Sequence, residues 1–116
     1  MLEDADFQVQ RLKLYCKTVK VADEGGLTYY LLEGLRLPGG CSPAECTGLL
    51  CPSARDGYNS RLFFDVRVDS PRVLNWTNGV LILDKTWQVF SWKVETPGLS
   101  LAETLVRHME AFTRER

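Results

Sequence analysis

The clearest period along the chain is two. In Arg61-Leu62-Phe63-Phe64-Asp65-Val66-Arg67-Val68, the apolar Leu62, Phe64, Val66 and Val68 share one side, and Arg61, Phe63, Asp65 and Arg67 share the other. That is the alternation of a strand with one buried face. Phe63 among the charged positions implies that the second face is partly covered too. Upstream, residues 15–21 are rich in β-branched and aromatic side chains and predict a strand. That strand runs out at Ala22-Asp23-Glu24-Gly25-Gly26, and a Gly-Gly turn followed by a second strand over residues 27–37 reads as a hairpin. Pro38-Gly39-Gly40 ends it. Thr47-Gly48-Leu49-Leu50-Cys51, closed by Pro52, predicts a third strand, and residues 53–60 a polar loop.

Toward the C-terminal end the period becomes helical. Ser100-Leu101-Ala102-Glu103 is a capping box, in which the serine oxygen accepts a backbone N–H and the glutamate reaches back. Leu101, Leu105, Met109 and Phe112 follow at helical spacing, with His108 beside the stripe. Near the N-terminal end, Asp4 or Asp6 is placed to cap a short helix with Phe7, Arg11 and Leu14 on one side. Phe7-Gln8-Val9-Gln10 also alternates as a strand would; the helix is the preferred reading. Residues 69–97 are the least periodic. They hold Trp76, Trp87, Trp92 and a turn signal, Thr77-Asn78-Gly79. Val80-Leu81-Ile82-Leu83 fits a strand or buried extended chain, and residues 89–94 fit a strand or a packed loop. The expected fold is α+β: a four-stranded antiparallel meander with a C-terminal helix and an N-terminal helix on one sheet face, in one domain over residues 1–116.

Composition adds limits. With 116 residues, 45% hydrophobic and 25% charged, the chain is long enough for one core without disulfide staples. A net charge of −1 lacks the basic excess of a nucleic-acid binder, and no apolar run is long enough for a membrane helix. Neither nucleic acid nor membrane is an expected partner. The start, Met1-Leu2-Glu3-Asp4, is acidic where a secretory signal is basic, so a cytoplasmic location is expected. Cys16, Cys41, Cys46 and Cys51 are then expected to be reduced. The last three are evenly spaced, but they lack the short paired knuckles of a zinc site, and the only histidine, His108, lies far downstream. No metal and no cofactor are expected; the cysteines read as small buried hydrophobes.

Catalytic signatures are scarce. There is no phosphate loop, no dinucleotide-binding glycine pattern, no nucleophile elbow and no His-Glu-x-x-His. Any Ser–His or Cys–His pair has to use His108. Arg55-Asp56-Gly57-Tyr58-Asn59-Ser60-Arg61 is the richest polar cluster. Asp56-Gly57 makes a turn there, and Tyr58 and Arg61 are residue types that anchor interfaces. The cluster reads either as an ordered loop or as a partner surface formed by Arg55, Asp56, Tyr58 and Arg61, with Trp76 as a further candidate.

The order of several short motifs resembles the ubiquitin-conjugating (E2) fold, and within it the divergent prokaryotic E2-like proteins. The residues are Leu35-Arg36-Leu37-Pro38-Gly39-Gly40, Leu49-Leu50-Cys51-Pro52, and Arg55 onward through Tyr58-Asn59-Ser60-Arg61-Leu62-Phe63-Phe64. Asn75-Trp76, Trp87-Gln88-Val89-Phe90-Ser91-Trp92 and the helix from Leu105 to His108 continue the series. The resemblance spans roughly residues 12–113. It implies an E1-like activating enzyme and a ubiquitin-like protein as partners, in a bacterial conjugation system linked to antiphage defence. It places Asn75 near the asparagine that steadies the oxyanion in those enzymes.

The departures are equally specific. Where the family carries its cysteine, this chain has Val80-Leu81-Ile82-Leu83-Asp84-Lys85, with no Cys, Ser or Thr. His-Pro before the asparagine is replaced by Val73-Leu74. A nucleophile would have to be relocated to Cys41, Cys46 or Cys51, or to a hydroxyl of Ser60, Thr77, Thr86 or Ser91. Hydroxyls form oxyesters and need strong activation. Asn75, Ser60, Ser91 and His108 are the candidate catalytic residues. The resemblance leaves two expectations: an E2-like component that works by an oxyester or by presenting the ubiquitin-like protein, or a non-catalytic adaptor.

Overall fold

The computed structural model describes residues 5–77 and 79–113. Helix α1 (Ala5–Leu12) leads into strands β1 (Thr18–Glu24), β2 (Leu27–Arg36), β3 (Glu45–Cys51) and β4 (Arg61–Phe64). These form one antiparallel sheet in sequential order. A separate two-stranded ribbon, β5 (Val80–Ile82) and β6 (Lys85–Trp87), comes next, then helix α2 (Leu101–Met109) and a 3-10 turn, Glu110–Phe112. The fold is therefore α+β, with the four-stranded antiparallel sheet and C-terminal helix that the periodicity predicts.

The first hairpin closes through Gly25 and Gly26, at φ 60° and 81°. Two central residues with positive φ match the right-handed strand twist, and glycine adopts them without steric strain. Pairing therefore reaches Glu24↔Leu27, and the turn is the two-residue Gly-Gly turn that the sequence predicts. Residues 15–17 are not strand. Three short-range bonds, Lys13 to Gln10, Leu14 to Arg11 and Tyr15 to Leu12, unwind the end of α1 and use up the chain that the composition assigns to β1. In β2 the register shifts between Leu32 and Leu35, where Gly34 at φ 69° forms a bulge.

The sheet separates two apolar layers. On one face, Leu32, Leu35, Leu50, Leu62 and Phe64 pack with Leu12 of α1 and with Leu105, Met109 and Phe112 of the C-terminal segment. On the other, Tyr29, Leu49, Cys51 and Phe63 meet Ile82, Trp87 and Val89. Phe63 is fully buried because the ribbon covers its face. The least periodic part of the sequence is thus the second lid of the sheet.

Three sequence expectations need correction. The strand read over 61–68 stops at Phe64. Asp65 exchanges bonds with Thr47 through backbone and carboxylate, the chain bends, and Val66 is 41% exposed while Val68 returns to the core. The side of α1 carrying Phe7, Arg11 and Leu14 faces solvent, and Leu12 is the buried anchor. Asp6 lies inside the first turn of α1 and does not cap it; Asp4 lies outside the described residues. Of the Thr77-Asn78-Gly79 signal, Asn78 also lies outside them.

The capping box forms as its spacing requires. Ser100 Oγ accepts from the Glu103 backbone at 3.2 Å, and Glu103 Oε1 accepts from the Ser100 backbone at 2.8 Å. The Ser100 backbone N–H, and secondarily the Ser100 hydroxyl, hold the Glu103 carboxyl below its ordinary pKa. Ser100→Ala is expected to lower stability by about 1 kcal/mol, measured by urea unfolding at neutral pH. An unchanged midpoint would show that tertiary packing alone holds this helix end.

Candidate functional site

The polar cluster that stood out in the sequence becomes a tight turn between β3 and β4. Arg55 and Tyr58 exchange both backbone bonds at 2.9 Å around Asp56 (φ 57°) and Gly57 (φ 86°). Aspartate tolerates this left-handed region better than most side chains, and glycine adopts it freely. The guanidinium of Arg61 stacks 4.2 Å from the Tyr58 ring centroid, donates from Nη1 to Asp56 Oδ2 at 3.3 Å, and donates from Nη2 to the Phe90 carbonyl at 3.3 Å. Arg61 is only 7% exposed. It locks the turn to the 89–94 segment and offers little free surface. Arg55 lies over Phe63, 5.6 Å from the ring centroid. Arg55, Asp56, Tyr58 and Arg61 therefore converge. Trp76 lies apart from them, packed edge-on against Phe64 and Phe90 in the aromatic core.

Ser60 and His108 come together although they are 48 positions apart. Ser60 Oγ lies 2.7 Å from His108 Nε2, a distance that suits a hydroxyl nucleophile and its base. Their surroundings do not suit that role. Ser60 is fully buried and His108 is 2% exposed. Burial, and secondarily the Arg61 charge, push the imidazole pKa down to about 3. A base this weak gains little by taking a serine proton, and no substrate reaches the pair. The bond fastens the loop before β4 to α2.

Asn75 and Ser91 also meet, at the surface. Trp76 and Phe90 form an isolated antiparallel bridge, bounded by Thr77 N–H to Val89 O at 2.8 Å and Ser91 N–H to Asn75 O at 3.1 Å. Asn75 therefore stands opposite Ser91, flanking a Trp76–Phe90 pair whose ring centroids are 5.0 Å apart. Alternation turns Asn75 and Ser91 away from that aromatic core. Asn75 is exposed and Ser91 partly exposed. The Thr77 hydroxyl is already engaged with the Val89 carbonyl at 3.1 Å, and Thr86 sits on β6 opposite Leu81.

The cysteines are all free thiols, and burial raises the pKa of each; Cys46 is pushed up to about 12, with Asp65 adding to the effect. Thiolate is the reactive form, so none is primed for attack near neutral pH. Among the described residues no group of three or more His, Cys, Asp or Glu side chains is placed to hold a metal ion.

Sequence reading missed the pairing of Ser60 with His108 and the Phe90 carbonyl as the acceptor for Arg61. Both depend on long-range closure and have no local signature. The one available signal was Phe63 in a charged row, which marks the covered face against which Arg55 packs. No family model, curated protein or solved structure matches this chain.

Proposed function

We propose that the chain is an E2-like adaptor that binds an E1-like activating enzyme and a ubiquitin-like protein without carrying the latter as a thioester. The motif order from Leu35-Arg36-Leu37-Pro38 to the C-terminal helix supports the E2-like part. The helix–meander–ribbon–helix sequence is compatible with it. The observation that carries the adaptor part is the sealing of Ser60 and His108, the only hydroxyl–imidazole pair among the described residues. The raised thiol pKa values point the same way.

Asn75 opposite Ser91 favours a second reading, an oxyester on Ser91 with the Asn75 amide donating to the oxyanion. Among the described residues no hydrogen bond joins either side chain to a general base, so the adaptor is preferred. The test is gel filtration of the purified chain with an E1-like enzyme and a ubiquitin-like protein from the same genome. Co-elution without ATP is expected. Separate elution of all three proteins at concentrations of tens of micromolar would remove the adaptor reading.

A further inference from the structure

A groove of about 760 Å³ opens between α1 and the start of α2. Phe7, Arg11 and Tyr15 line it from α1 and the turn that follows, and Leu99, Val106 and Arg107 line it from the C-terminal side. The two banks are fastened to each other. Gln8 Oε1 accepts the Leu101 N–H at 3.0 Å, and the Leu99 N–H donates to the Thr96 carbonyl at 2.9 Å. The groove is therefore fixed by the fold. Neither Ser60, Asn75 nor Ser91 lines it.

Two properties say what it accepts. Its rim is apolar: Phe7 is 48% exposed, and Leu14, on the same side of α1, is 59% exposed. Large apolar side chains left open side by side mark a contact surface. Its charge is positive. Arg11 and Arg107 stand on opposite banks, and no hydrogen bond or ion pair joins either guanidinium to a described residue; Arg11 lies over the Phe7 ring, 5.8 Å from its centroid. Glu103 is the one carboxylate in the lining, and its Oε1 is already committed to the Ser100 N–H at 2.8 Å. Two arginines thus face one engaged glutamate, on a chain whose net charge is −1.

We infer that this groove docks an acidic amphipathic helix of a partner protein, with its apolar stripe between α1 and α2 and its Asp or Glu side chains on Arg11 and Arg107. A helix laid along two others buries one stripe against both, and arginines on both banks match acidic residues on both flanks of that stripe. Half-exposed Phe7 leaves the groove too open for a small molecule, whose surface a binding cavity largely encloses. A second copy docking through the same surface would set arginine against arginine. The inference does not rest on the conjugation reading.

The test selects a displayed library of helical peptides, about 18 residues long and randomised on their surfaces, on the intact chain, and synthesises the peptides that are retained. They are expected to carry an apolar stripe flanked by Asp or Glu and to move the Ala102 and Val106 amides in two-dimensional NMR. Arg11→Glu and Arg107→Glu are each expected to weaken binding about tenfold. Lysine in place of the peptide's acidic residues is expected to restore binding to these variants, a recovery that a merely structural role for the arginines would not give. Amide spectra check that each variant keeps its fold; where one does not, Arg11→Gln or Arg107→Gln replaces it. Retention no better than on the Arg11→Glu/Arg107→Glu double variant, or shifts confined to amides outside the groove, would overturn the site. Retained peptides without acidic residues would overturn the assignment of its partner. Shifts of the same amides that grow with the concentration of the free chain would assign the groove to a second copy and overturn it too.

Discussion

Phe64→Ala is expected to destabilise the protein by about 3–5 kcal/mol, the range for emptying a fully buried aromatic position. Phe64 has no solvent exposure. Its ring is stacked with Phe90 at 5.7 Å and edge-on to Trp76 at 5.8 Å and Phe112 at 5.4 Å. One side chain therefore ties β4, the aromatic bridge and the C-terminal turn together. Its backbone also exchanges two bonds of 2.7 Å with Gln88, so the strand around it has little freedom to collapse into the cavity. Phe64→Leu, which keeps most of the volume, is expected to recover more than half of the loss. Urea unfolding measures both. A loss under about 1.5 kcal/mol for the alanine variant would mean that the aromatic cluster contributes far less than its packing implies.

The second large effect depends on pH. His108 is buried and neutral, with its pKa lowered from 6.5 to about 3. The unfolded chain takes up a proton near pH 6.5 and the folded chain does not. Stability from this group is therefore complete above pH 6.5 and falls as the pH drops from there toward 3. The full slope for one proton is about 1.4 kcal/mol per pH unit. Between pH 6 and 5 most carboxylates remain ionised, so that window isolates the histidine. Wild-type protein is expected to lose about 1 kcal/mol across it. His108→Gln, less stable at neutral pH, is expected to show little slope there. Equal slopes in the two proteins would mean that His108 titrates normally, and the sealed Ser60–His108 bond would have to be abandoned.

The parts of this fold visible in the sequence are those set by neighbours in the chain. Ser100 and Glu103 are three residues apart, and Gly25-Gly26 closes its own hairpin, so each is legible as a motif. The end of β4 is not, because Val66 and Val68 continue the alternation, and the ladder ends where the Thr47 N–H donates to the Asp65 carboxylate. The ribbon turn is hidden for another reason. Leu83 and Asp84 both take positive φ, 53° and 64°, without glycine to announce it. That turn is held from outside, by the Leu83 N–H donating to Glu24 at 3.0 Å and by apolar contact with the second core layer.

The candidate site divides in the same way. The turn at Asp56-Gly57 and the interest of Arg55, Tyr58 and Arg61 are visible in composition. The burial of Arg61 is not, since a strand-edge arginine reads as solvated until the 89–94 segment closes over it. Asn75 and Ser91 were separate candidates in the sequence, and the Trp76–Phe90 bridge makes them neighbours.

The most direct test of the adaptor account is incubation with an E1-like enzyme, a ubiquitin-like protein and ATP, followed by gels with and without thiol reductant and after strong base. The account predicts no covalent adduct on this chain under any of the three conditions. A reductant-sensitive adduct lost in a single Cys→Ala variant would establish a thioester. An adduct that resists reductant, yields to base and disappears in Ser91→Ala would establish the oxyester. Either result would contradict the adaptor account.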